Sequence, residues 1–107
     1  MTLEETAKVV NGWAAKKPQI EKVQFFGSRV RGTNRDDSDL DVAITLLPNL
    51  DESDGMSTWF RFSDVWSAEL NDLLPYEVQV EWEAGELTST ILKGLSEASY
   101  LVYKNEI

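Results

Sequence analysis

Two aspartates, Asp39 and Asp41, stand one residue apart in the run Ser38-Asp39-Leu40-Asp41-Val42-Ala43-Ile44. Side chains alternate along a strand, so both carboxylates point to one face while Leu40, Val42 and Ile44 point to the other. Two carboxylates crowded on one face repel unless a cation neutralises them, and together they can share a hard one. Upstream, Gly27-Ser28 closes an apolar segment containing Val23, Phe25 and Phe26. The glycine lets backbone come close to a ligand, and the serine adds a hydroxyl donor beside the amides of the turn. A Gly-Ser turn joined to a carboxylate pair is a plan for holding a metal-bound triphosphate.

The chain offers no competing chemistry. It has no cysteine and no histidine, which excludes disulfides, zinc sites, and thiol or imidazole nucleophiles and bases. Metal chemistry here rests on oxygen ligands, which suit Mg2+ or Mn2+. The net charge of −9 and pI near 4.3 are the wrong sign for gripping a phosphate backbone, so no nucleic-acid substrate is expected. Arg29, Arg31 and Arg35 sit inside the motif, and Lys16, Lys17 and Lys22 just before it are expected to solvate a surface. No apolar run reaches the ~18–20 residues of a membrane span. The start, Met1-Thr2-Leu3-Glu4-Glu5, lacks the basic and apolar regions of a signal peptide. A cytoplasmic location without membrane association is expected.

The elements that must position these residues can be read from periodicity. Leu3, Ala7, Val10, Trp13 and Ala14 recur at helical spacing, with Thr2 and Glu5 spaced as a capping box, predicting a first helix that ends before Pro18 with Trp13 in the core. Ile20 to Phe26 reads as a strand, Arg29 to Gly32 as a short helix, and Leu40 to Leu46 as a second strand. Asn49 to Gly55 reads as a flexible acidic surface loop. Ser57 is the expected cap of a long helix whose stripe is Trp59, Phe62, Val65 with Trp66, Leu70 and Leu73, with Phe60 off that stripe, facing either a partner or the sheet. After Pro75, Tyr76 to Trp82 alternates as a strand, placing Glu77, Gln79 and Glu81 on one face. Leu87, Ile91, Leu92 and Leu95 mark a last helix, and Tyr100 to Tyr103 a closing strand. The expectation is a single domain over residues 1–107, of α/β (α+β) class, with one mixed sheet and helices mainly on one face.

The pattern Gly-Ser, two residues, Arg-Gly, a variable loop, then Ser-Asp-x-Asp is carried by Gly27, Ser28, Arg31, Gly32, Ser38, Asp39 and Asp41. In these residues the chain resembles the DNA polymerase beta-like nucleotidyltransferase superfamily, and most of all its minimal nucleotidyltransferases, often paired with HEPN proteins. Val30 departs mildly, since a small residue is usual there. The resemblance implies a nucleotidyltransferase fold, with Asp39 and Asp41 as metal ligands and catalytic residues. Gly27, Ser28, Arg31 and Ser38 would serve nucleotide binding. Arg31 is expected either to reach a phosphate or to hold the loop through a carboxylate such as Asp37, and Arg29 to face water. With two Mg2+ ions, one would steady the leaving pyrophosphate and one would lower the pKa of the acceptor hydroxyl.

The chain departs from the family at the third carboxylate. The family reads Pro-Tyr-x-Val-Asp, and this chain reads Pro75-Tyr76-Glu77-Val78-Gln79. A neutral amide neither neutralises a metal nor accepts a proton usefully. Glu77 and Glu81 lie about 6 to 7 Å either side of Gln79 on the same strand face, so either can stand in, or the second metal is weakened or lost. Gln79 and Glu81 therefore join the candidate catalytic set.

The functional expectation is transfer of a nucleoside monophosphate, AMP from ATP, onto a hydroxyl acceptor, with a HEPN toxin as the partner and this chain as its antitoxin. The alternatives are a catalytically degenerate module that binds nucleotide or partner, and a small-molecule transferase of the aminoglycoside-modifying kind.

Overall fold

The computed structural model describes residues 1–106. Helix α1 (Leu3–Ala14) starts at the predicted capping box: the Thr2 hydroxyl accepts from the Glu5 N–H at 3.1 Å, and the Glu5 carboxylate accepts from the Thr2 N–H at 2.9 Å. Its apolar side buries Ala7, Val10, Trp13 and Ala14. Thr6, fully buried, donates its hydroxyl to the Thr2 carbonyl and bonds the Tyr76 hydroxyl, so this buried polar group is satisfied.

Strands β1 (Ile20–Phe26), β2 (Leu40–Leu46), β3 (Val78–Trp82) and β4 (Ser99–Lys104) form one mixed sheet in the order β3-β2-β1-β4. β1 pairs antiparallel with β2 and β4, and β2 pairs parallel with β3. The parallel pair requires a crossover, which helix α3 (Met56–Leu73) supplies; the four-residue helix α2 (Ser28–Arg31) follows β1. One sheet face carries Val23, Phe25, Leu40, Val42 and Ile44, all fully buried, against α1 and α3. Trp66 of α3 meets Trp13 of α1 edge-on at 6.2 Å and stacks on Phe62 at 5.4 Å. Helix α4 (Ser89–Glu97), entered through a 3-10 turn at Gly85–Thr88, lies on the opposite face. There the backbone of Gly94 rests on the Phe26 ring, and a Cβ at Gly94 would stand 3.0 Å from Phe26 Cδ2. Among the described residues no helix is long and apolar enough to cross a membrane.

The α3 region corrects two expectations. Ser57 does not cap the helix, because it lies one residue inside it. Asp51 caps from upstream: its carboxylate accepts the backbone N–H groups of Ser53, Gly55 and Thr58 at 2.8, 2.9 and 3.0 Å and both nearby hydroxyls. The Asn49 to Gly55 segment is thus tied to α3 by a carboxylate. The predicted stripe is also narrower than its spacing suggested. Trp66 and Leu70 are buried, but Val65 is 52% and Leu73 48% exposed, because the wide rings of Trp59, Phe62 and Trp66 fill the contact with the sheet and leave the stripe's flanks in solvent. Phe60 is 73% exposed and faces away from the sheet. In the C-terminal region, Leu87, expected in the last helix, lies in the 3-10 turn before α4, and β3 begins at Val78, not Tyr76.

Candidate functional site

The site sits at the sheet end where β1 leaves and β2 and β3 begin. In the register, Asp41 is opposite Phe26 on one side and Gln79 on the other, and residues directly opposite share a face. Asp41 therefore projects from the centre of the sheet, onto the face crossed by α4, between the Gly27 turn and Gln79.

Gly27 holds φ +82° and ψ −161°, a region open in practice to glycine alone. The turn brings it so close to β2 that a Cβ there would stand 2.1 Å from Asp41 Oδ2. The Gly27 carbonyl accepts the Val30 and Arg31 N–H groups at 3.1 Å each, which starts α2, and Gly32 ends it in the left-handed conformation. Both glycines of the motif have backbone reasons to be glycine.

Arg29 corrects the expectation that it faces water. It is half-buried, donates Nε to the Ser38 carbonyl at 2.9 Å and Nη2 to the Asp36 carbonyl at 3.3 Å, and lies 4.2 Å over the Tyr76 ring. A planar, always charged guanidinium suits this dual role. It straps the motif loop to the start of β3, and Ser38 supports the same loop, its hydroxyl accepting the Arg35 N–H at 2.8 Å. Arg31 takes a third course: its partner is Glu97 of α4 at 3.6 Å, across a cleft, and not Asp37.

The register of β3 is clamped from α3. Asn71 donates Nδ2 to the Val78 carbonyl at 3.1 Å and accepts the Val78 N–H at 2.8 Å, while the Leu40 N–H donates to the Glu77 carbonyl at 2.9 Å. Gln79 is held beside the carboxylates by these bonds. Its Nε2 donates to Asp39 Oδ2 at 3.3 Å and to Glu77 Oε1 at 3.1 Å. Glu81 is exposed on the same strand.

Burial pushes the Asp41 carboxyl above the usual aspartate range, and the negative charges of Asp39 and Glu81 push it the same way, with Arg31 opposing. Ionised Asp41 is therefore a group in need of a positive partner. A cleft of about 420 Å³ opens beside it, lined by Phe26, Gly27, Ser28, Arg31 and Asp41 on one side and by Thr90, Lys93, Gly94 and Glu97 of α4 on the other. Thr90, Lys93 and Glu97 were invisible to motif reading, since only the fold carries α4 back over β1. The one signal was Gly94 inside an otherwise amphipathic helix.

The donor set fits a hard divalent cation in part. Asp39 and Asp41 offer carboxylate oxygens, and among the described residues no three His, Cys, Asp or Glu side chains converge into a closed metal cage. Such an open pair suits Mg2+ or Mn2+, which are commonly held by one or two carboxylates with phosphate oxygens and water completing the shell. Asp39 and Asp41 would hold the ion.

Comparison with known proteins agrees with this architecture. The family model described as "Polymerase beta, Nucleotidyltransferase" matches residues 8–105. No curated protein matches the sequence. Among solved structures, the chain is similar to a toxin–antitoxin crystallised with AMP-PNP (TM-score 0.63, 16% identity, covering 94% of this chain and 74% of that one). It is also similar to a mutant of the toxin–antitoxin MntA-HpeT (TM-score 0.64, 14% identity, 94% and 74% covered). A third is a putative nucleotidyltransferase from Sulfolobus solfataricus (TM-score 0.54, 23% identity, 98% and 82% covered). At these identities the likeness is one of fold.

Proposed function

This chain belongs to the polymerase beta family of nucleotidyltransferases, and from that premise we propose that it binds ATP with Mg2+ or Mn2+ at Asp39 and Asp41 and transfers AMP to a hydroxyl group on a partner protein. The observation that carries the proposal is the placement of Asp41 beside the Gly27 turn, on the floor of a cleft walled by Arg31 and Lys93. Asp41 and the basic groups for the phosphates line one cleft, with the Asp39 carboxylate near enough to act on Asp41. A cation there would polarise the α-phosphate and neutralise the charge that develops on the leaving pyrophosphate.

The residues divide the work. Gly27 leaves room for the Asp41 carboxylate to stand against the turn, where any side chain would displace it. Ser28 donates a hydroxyl to a phosphate oxygen, and Arg31 and Lys93 meet the outer phosphates as fork and point charges respectively. Arg29 and Ser38 keep the motif loop folded so that Asp39 and Asp41 present together. In the transfer, the acceptor oxygen bonds to the α-phosphorus as the bond to pyrophosphate breaks; the acceptor proton passes to water or a nearby carboxylate.

A protein acceptor is favoured over a nucleic acid by the net charge of −9, which complements a basic partner and repels a phosphate backbone. The resemblance to minimal nucleotidyltransferases suggests a HEPN-type toxin as that partner, with this chain as antitoxin, and two fold neighbours are toxin–antitoxin structures. Incubation of the co-purified partner with α-labelled ATP tests the transfer. Label on the partner that disappears with Asp41→Asn supports the reading, and equal labelling by Asp41→Asn contradicts it.

A second reading, binding of nucleotide and partner without transfer, is favoured by one observation. Gln79 turns an amide N–H, not an anionic oxygen, toward Asp39. Silencing of the partner undiminished in a chain that transfers no label would favour it.

A further inference from the structure

We infer that Gln79 closes the β3 side of the carboxylate pair to cations, so that this chain holds its nucleotide with one divalent cation and not two. The inference deepens the nucleotide-binding reading above and rests on it.

The Gln79 amide is oriented by two carboxylate neighbours. Its NH2 group stands 3.3 Å from Asp39 Oδ2 and 3.1 Å from Glu77 Oε1. Both neighbours are carboxylate oxygens, which accept, so the amide nitrogen and not its carbonyl oxygen faces them. Both amide hydrogens are thereby committed. An amide nitrogen so engaged is no ligand for a hard cation, and its hydrogens carry partial positive charge at the position a cation between Asp39 and β3 would take.

The surrounding structure holds this arrangement in place. Asn71 fixes the Val78 backbone on both its N–H and its carbonyl, and the Asp41↔Gln79 pairing is one rung of the continuous β2–β3 ladder. These bonds fix the Gln79 backbone beside Asp41, and its side chain leaves Asp39 only by a rotamer change that gives up both of its hydrogen bonds. Glu77, the nearest spare carboxylate, is the amide's other acceptor. Among the described residues no third carboxylate joins Asp39 and Asp41 in a metal-holding cluster.

The opposite side of Asp41 lines a cleft. Asp41 Oδ2 faces the space where Gly27 has no Cβ, and that side opens to Arg31, Lys93 and the cleft. Asp41 lines that cleft, with the negative charge of Asp39 close beside it, and the pair matches one doubly charged ion carrying the triphosphate. A second ion would have to draw on Glu77, already the acceptor of the Gln79 amide, or on the exposed Glu81, with amide hydrogens in its path on the Asp39 side. Gln79 is thus a positioning residue for Asp39 that fixes the cation count.

The test counts ions directly. The full chain is dialysed to equilibrium against Mn2+ and the non-hydrolysable analogue AMP-PNP, and the protein-bound excess of each is measured. The wild-type chain is expected to retain one Mn2+ per AMP-PNP, and Gln79→Asp two, with Gln79→Glu as a second variant and circular dichroism as the check on folding. Two Mn2+ per AMP-PNP in the wild-type chain would overturn the inference, whether or not the variants fold. A ratio of one in both folded variants would overturn the role of Gln79. A wild-type chain that retains no AMP-PNP would overturn the nucleotide-binding reading itself, and this inference with it, which is distinct from a wrong ratio.

Discussion

Gly27 and Asp41 meet so closely that a single methyl added to Gly27 would stand 2.1 Å from Asp41 Oδ2. The backbone at Gly27, φ +82° and ψ −161°, admits no other residue comfortably. Gly27→Ala therefore strains the turn and pushes the Asp41 carboxylate aside. A loss of about 1–3 kcal/mol in stability is expected, read by urea unfolding, with cation-dependent nucleotide binding lost in the fraction that remains folded. An alanine variant with unchanged stability and binding would show that the turn has room to relax.

Asp41 carries opposite consequences for fold and function. Its folded-state pKa is raised by burial and by Asp39 and Glu81, so the protonated form is favoured in the native state. The stability this gives is present below the unfolded value of 3.8 and is lost as pH rises through the folded value. At neutral pH, without metal, Asp41→Asn should melt above the wild-type chain, and the difference should close as pH falls below about 4. The same variant should bind MgATP at least tenfold more weakly. Scanning calorimetry across pH, with and without Mg2+, checks both signs.

The positive wall of the cleft should be felt through the phosphates. Lys93 of α4 faces Arg31 across it, while Arg31 is partly engaged by Glu97 at 3.6 Å. Lys93→Ala is expected to weaken ATP by roughly fivefold, about 1 kcal/mol for one exposed charge contact, and AMP much less. Glu97→Gln releases Arg31 and should strengthen ATP modestly. Both effects should shrink as ionic strength rises.

Asp51 is the acid-sensitive fastening of α3. Its hydrogen bonds from Ser53, Thr58 and Gly55 hold the carboxyl well below the usual range. A depressed folded pKa gives stability present above the unfolded value of 3.8 and lost as pH falls through the folded one. Asp51→Asn should melt below wild type at pH 7, with the gap narrowing on acidification below about 4, while MgATP affinity at pH 7 is unchanged.

Much of this architecture was legible in local patterns. The Thr2–Glu5 capping box, the apolar period of α1, and strands β1 and β2 sit where alternation and caps put them, because each is determined by residues within one or two turns of itself. The face shared by Asp39 and Asp41 followed from strand alternation alone. What could not be read was set by distant packing. The strap made by Arg29 depends on Tyr76, and the cleft wall depends on α4 returning over Phe26. Val65 and Leu73 look like core by spacing, but the Trp59, Phe62 and Trp66 rings decide how wide the buried stripe is. The direction in which the Gln79 amide points required its two carboxylate neighbours in space.

The central claim is that Asp39 and Asp41 hold a cation that carries a nucleoside triphosphate. Isothermal titration of ATP into the purified chain, with Mg2+ and then with EDTA, repeated on Asp39→Asn and Asp41→Asn, tests it most directly. Binding of one ATP per chain is expected with Mg2+, and its loss in EDTA and in both variants. Binding that persists in EDTA or in the variants, or no binding at millimolar ATP with Mg2+, would contradict it.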